Sequence, residues 1–130
     1  MGIYLNPSNV NFEEATRARI YVDKTMMIRE INRFMDEGNK YICVSRPRRF
    51  GKTIAGNMLA AYYSKGCDSR ELFSKYKIAG DPFFEEKLNK YNVIQIDVNG
   101  AYQISENKSK FLKELTCKFC ATSYRICAPF

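Results

Sequence analysis

The residues of this chain best equipped for chemistry are Gly51-Lys52-Thr53, which follow the basic run Arg46-Pro47-Arg48-Arg49-Phe50 and lead into Ile54. A loop between a strand end and a helix start can turn its backbone N–H groups inward around an anion. The unpaired amides of the first helical turn then add partial positive charge. In such a loop Gly51 permits close backbone approach, Lys52 reaches the β- and γ-phosphates of a nucleotide, and the Thr53 hydroxyl holds Mg²⁺. The candidate nucleotide-binding set is Arg46, Pro47, Arg48, Arg49, Phe50, Gly51, Lys52, Thr53 and Ile54, with ATP and Mg²⁺ as the implied ligands.

The loop departs from the usual Walker A form, G-x-x-x-x-G-K-[S/T], because Arg46 stands where the first glycine would be. Pro47 aids the turn through its fixed φ but removes one N–H donor, while Arg46, Arg48 and Arg49 raise anion affinity by charge alone. Taken alone, Gly-Lys-Thr is as readily a chance tripeptide in a basic surface loop. Its flanking pattern makes it informative. A further candidate, for the metal and for catalysis, is Asp97, at the end of the apolar run Val93-Ile94-Gln95-Ile96 in the manner of a Walker B strand. The plainer reading is that many strands end at Asp. Cys117-x-x-Cys120 with Cys127 falls short of a structural zinc site, which needs four ligands, since the chain has no histidine and no second cysteine pair follows.

Positioning the loop requires a strand before it and a helix after it. Tyr41 to Val44 reads as a buried strand, and Lys52 to Ser64 as a helix carrying Ala55, Met58, Leu59 and Tyr62 on one stripe. Upstream, Met1 to Thr16 is an irregular arm leading into a turn or short helix at Phe12. From Lys24 to Glu37, Met27, Ile28, Ile31, Phe34 and Met35 share a helix face, with Asp23 as N-cap and Gly38 as terminator. Downstream, Glu71 to Ile78 forms a short helix, Pro82 opens another over Phe83 to Lys90, and Val93 to Asp97 is a second buried strand. Ser105 to Cys120 is helical, with Phe111, Leu112, Leu115 and Phe119 on one side. The order αβαβα predicts an α/β fold, a partial P-loop NTPase of three αβα layers with a parallel sheet flanked by helices.

Tyr21-Val-Asp-Lys-Thr25, a helix-length stretch, and then Arg46-Pro-Arg-Arg-Phe-Gly-Lys-Thr53 together resemble the N-terminal part of the bacterial AAA-ATPase-like family, over Ile3 to Asp97. The resemblance implies that Arg46 in place of glycine is the family's own variant. It implies a P-loop domain over residues 21–115 after an arm at 1–20, with Tyr21 to Thr25 near the nucleotide and the acidic Walker B segment downstream of Asp97. For the complete protein it implies ATPase activity and, often, a following restriction-endonuclease-like nuclease domain. It also implies that the chain stops early: P-loop domains need several βα units of about 30 residues each. The tail 116–130 departs from the family pattern, as truncation or an altered reading frame would produce.

A hydrophobic share of 45% and a charged share of 27% describe an ordinary globular chain, and the net charge of +7 favours anionic partners. No apolar run of about 18 residues occurs, and the N-terminus lacks the features of a secretory signal, so the chain is expected to be cytoplasmic, with its five cysteines reduced. Absence of histidine excludes histidine-based acid–base catalysis but not ATP hydrolysis. Hydrolysis needs a metal-holding acid and a residue to place the water; only the cradle is clear here, so the residues speak for binding rather than turnover. Two alternatives remain. One is a basic nucleic-acid-binding module built on Arg46, Arg48 and Arg49 with neighbouring tyrosines and lysines. The other is an inactive remnant whose half sheet leaves an open edge.

Overall fold

Helix α1 (Val10–Thr16) places Phe12 in the core, fully buried, at the point where the arm was expected to turn. Helices α2 (Met26–Asp36) and α3 (Lys52–Tyr63) arise where the apolar spacing predicts them. α2 starts later than expected because Thr25 is its N-cap and Asp23 lies two residues further out. Gly38, in the left-handed region at φ 83°, follows it and bonds back to the Met35 carbonyl at 3.1 Å. In place of one helix over Glu71 to Ile78 there are two short pieces, α4 (Arg70–Phe73) and a 3₁₀ turn at Lys77–Gly80. The helix expected over Phe83 to Lys90 is a series of turns, begun by Asp81, whose carboxylate accepts the Phe83 N–H at 2.8 Å. These elements belong to a computed structural model that describes residues 5–38, 41–98, Tyr102 and Lys113. The expected helix from Ser105 to Cys120, Lys113 excepted, and the tail cysteines lie outside those residues.

The core gathers Phe12, Ile28, Met58, Ala61, Tyr62, Phe73, Ile78, Phe84 and Leu88 from all of these elements. Tyr62 is its pivot. Its ring meets Phe73 edge-on at 5.6 Å, and its hydroxyl donates to the Phe84 carbonyl at 2.6 Å, so the polar tip is satisfied inside an apolar cluster. Phe12 stacks on Phe73 with centroids 5.3 Å apart, which joins α1 to α4. The last carbonyls of α3 have no partners within the helix. Asn89, itself left-handed at φ 54°, supplies them: Nδ2 donates to the Ala61 and Ser64 carbonyls at 3.2 and 2.7 Å, and its backbone N–H donates to the Tyr62 carbonyl at 2.7 Å.

The expected three-layer αβα architecture with a parallel sheet is not what the structure shows. Among the described residues there is no strand and no sheet, only two isolated bridges, Leu5 with Ile94 and Ser64 with Tyr91. Tyr41 to Val44 forms neither strand nor helix and is exposed rather than buried, Tyr41 at 96%. Ile94 and Ile96, in the second expected strand, are exposed as well. The physical reason is that an apolar run becomes a strand only when neighbouring chain pairs its N–H and C=O groups. The helices need no such partner, and they carry the core. The chain divides into two compact units: Asn6–Val93, which contains every named helix, and Leu5 with the chain from Ile94 onward. Among the described residues no helix is long and apolar enough to cross a membrane.

Candidate functional site

The loop from Tyr41 to Phe50 is exposed throughout, and it enters α3 through Gly51, the N-cap, at φ 74° and ψ 29°. A side chain is disfavoured there because the backbone is left-handed; a Cβ would also lie 3.1 Å from the Lys24 ammonium, the mobile end of an exposed side chain. Arg49 adopts φ 67° without glycine's freedom, so the turn holds backbone strain of the kind found at ligand clamps. Lys52, the first residue of α3, folds back so that Nζ donates to the Arg46 carbonyl and, at 3.4 Å, to that of Pro47. Thr53 follows in the first turn, exposed.

Lys24 completes the group. Its Nζ donates to the Phe50 carbonyl at 2.8 Å, while Lys52 holds the carbonyls of Arg46 and Pro47. Both of its neighbours are anchored. The Asp23 carboxylate accepts from the Thr25 N–H at 2.8 Å, the Thr25 hydroxyl at 2.7 Å and the Lys77 N–H at 3.0 Å; the fully buried Thr25 hydroxyl accepts from the Ile78 N–H at 3.3 Å. Burial pushes the Asp23 carboxyl up, but these three donors and the Lys77 charge outweigh it and hold the group below its ordinary value. The phenol of Tyr21 is pushed up to about 12 by burial, then by the charges of Asp23 and Tyr76, so it stays protonated.

Lys24, Met27, Val44, Arg46, Phe50, Gly51, Lys52 and Ala55 surround a cavity of about 410 Å³. Arg49, Phe50, Gly51 and Ile54 meet Lys24 again around a second cavity of about 310 Å³, lined further by Ile20, Tyr21 and Met58. Of the expected site residues, Pro47, Arg48 and Thr53 line neither. Asp97 belongs to the other unit, where it is exposed and lies in no strand. Lys24 was missed by residue-level reading, because nothing in spacing brings residue 24 to residue 50; only the family resemblance pointed to its segment.

Charge distinguishes this cavity from a larger one. The latter, about 590 Å³ between the second half of α2 and residues 81–87, is lined by charges that already pair: Arg29 with Asp81 at 3.2 Å, Arg33 with Glu37 at 3.1 Å, and Lys87 with Asp36. Beside Gly51 no carboxylate lines the wall, and Lys24, Arg46 and Lys52 enter no ion pair among the described residues. Three uncompensated cations around a space of ligand size fit an anion. For Mg²⁺ the unit offers the Thr53 hydroxyl, and the metal would take its remaining oxygens from phosphate and water.

Fold and site together define a helical unit with an exposed, basic loop that turns through Gly51 into the start of a helix. The model of the AAA-ATPase-like family, described as predicted AAA-ATPase, matches residues 10–127, and the chain belongs to that family. The match runs past Asp97, where the resemblance drawn from the motifs ended. No curated protein and no solved structure matches the chain.

Proposed function

We propose that the chain binds a nucleoside triphosphate, ATP, with Mg²⁺ through the variant Walker A loop Arg46 to Ile54. The observation that carries this reading is the cavity beside Gly51, whose cations Lys24, Arg46 and Lys52 have no carboxylate partner among the described residues. Family membership supports it generically. On binding, Lys52 exchanges the neutral carbonyls of Arg46 and Pro47 for phosphate oxygens, so that its ammonium bonds an anionic acceptor in place of a neutral one. Mg²⁺, held by Thr53, offsets the charge of the phosphates. The proposal is for binding; hydrolysis needs in addition an acid on the metal and a residue to place the water.

A fluorescent ATP analogue is expected to bind saturably and only with Mg²⁺. Lys52→Ala should weaken it about tenfold to a hundredfold, the range for losing hydrogen bonds to a charged group. Equal binding by wild type and variant would sink the reading. If instead an oligonucleotide binds, falls steeply with salt and ignores ATP, the loop is a general polyanion site.

A further inference from the structure

Lys24 lies outside the Walker A loop, yet its ammonium touches that loop and lines both cavities beside it. We propose that Lys24 is a second polyphosphate-binding cation, so that the site takes nucleoside di- and triphosphates in preference to monophosphates. This inference rests on the reading of the loop given above.

Two observations support it. First, two ammonium groups line the same 410 Å³ cavity, Lys52 resting on the carbonyls of Arg46 and Pro47 and Lys24 on that of Phe50. A chain of phosphates offers this pair more oxygens and more charge than a single phosphate does. Second, Lys24 is presented by a rigid segment. Asp23 and Thr25 on either side are bound to Lys77 and Ile78, and Thr25 is fully buried, so the backbone of Lys24 is held while its side chain stays exposed. A cation held in this way loses less freedom on binding than one on a loose loop. Its Nζ also lies close to Gly51: a Cβ there would be 3.1 Å from the ammonium, which would have to shift by a few tenths of an ångström.

The test uses the purified chain, with ATP and AMP each displacing a fluorescent ATP analogue. Lys24→Met keeps the apolar stem and removes the charge. It should weaken ATP about tenfold while leaving AMP unchanged, and Lys24→Arg should restore most of the loss. The urea midpoint should not move, because Lys24 is exposed. If Lys24→Met binds ATP as wild type does while Lys52→Ala has lost it, the inference fails and the loop reading stands. Equal weakening of ATP and AMP also overturns it, since Lys24 would then only shape the loop. If wild type binds no analogue at all, the loop reading fails and takes the inference with it.

Discussion

The two ends of α3 are held by different means. At its C-terminal end a side-chain amide and a backbone N–H of Asn89 satisfy the carbonyls of Ala61, Tyr62 and Ser64, and the ring of Tyr62 is fully buried. At its N-terminal end the chain turns through Gly51 in exposed backbone, and two lysine ammonium groups rest on loop carbonyls. Neutral bonds in the core, once made, have no competitor. An ammonium on a carbonyl at the surface gives way to a phosphate. One end of the helix carries stability, and the other is left able to exchange partners. The sharpest way to break this contrast is a pair of tyrosines. Tyr62→Ala removes a ring with 0% exposure together with its bond to Phe84, and should lower stability by about 3–5 kcal/mol, enough to unfold a marginal domain. Tyr41→Ala, in the exposed run before the loop, should stay within about 0.5 kcal/mol. Similar urea midpoints for the two variants would show that the core is not where these contacts place it.

Gly51→Ala probes the other end. Left-handed backbone costs a non-glycine residue roughly 1–2 kcal/mol, so the urea midpoint should fall modestly. Binding of the ATP analogue should fall further than that strain accounts for, because the new Cβ also crowds the Lys24 ammonium. A variant that lost stability and kept its affinity would separate the glycine from the site.

What the sequence made legible divides along the same line. The stripes Met27–Ile28–Ile31 and Met58–Leu59–Tyr62 foretold α2 and α3 to within two residues at either end, because a helix satisfies its own backbone and its apolar face is written at fixed spacing. Gly51, Lys52 and Thr53 at the start of α3 were legible for the same reason, being local to one turn. Tyr41 to Val44 and Val93 to Asp97 were misread as buried strands, since a strand is defined by a partner that its own residues do not name. Asn89 was invisible, and Lys24 was indicated only through the resemblance of its segment to the family, for a related reason. Each acts on chain more than twenty residues away, Asn89 on Ala61 and Lys24 on Phe50, and no periodicity encodes such contacts.

The smallest effect concerns the anchor that presents Lys24. The folded Asp23 carboxyl releases its proton more readily than the unfolded one, so protonating it opposes folding. Its contribution is complete above the ordinary carboxyl value of about 3.9 and is lost as pH falls through that value toward the lower folded one. In Asp23→Asn the amide oxygen can keep the Thr25 donors, but the Nδ2 that replaces the second oxygen cannot accept the Lys77 N–H. The variant should therefore be less stable than wild type at neutral pH, by less than Gly51→Ala, since the carboxylate is only partly buried. On acidification the wild type loses its advantage while the variant has nothing at this position to titrate, so the gap between their urea midpoints should narrow as the pH falls below about 3.9. A gap that stayed constant with pH would mean that hydrogen-bond geometry alone, and not the charge of Asp23, fastens this segment to the 3₁₀ turn. The rigidity of Lys24 would then be insensitive to acid, and the ATP affinity of the wild type should follow the same pattern.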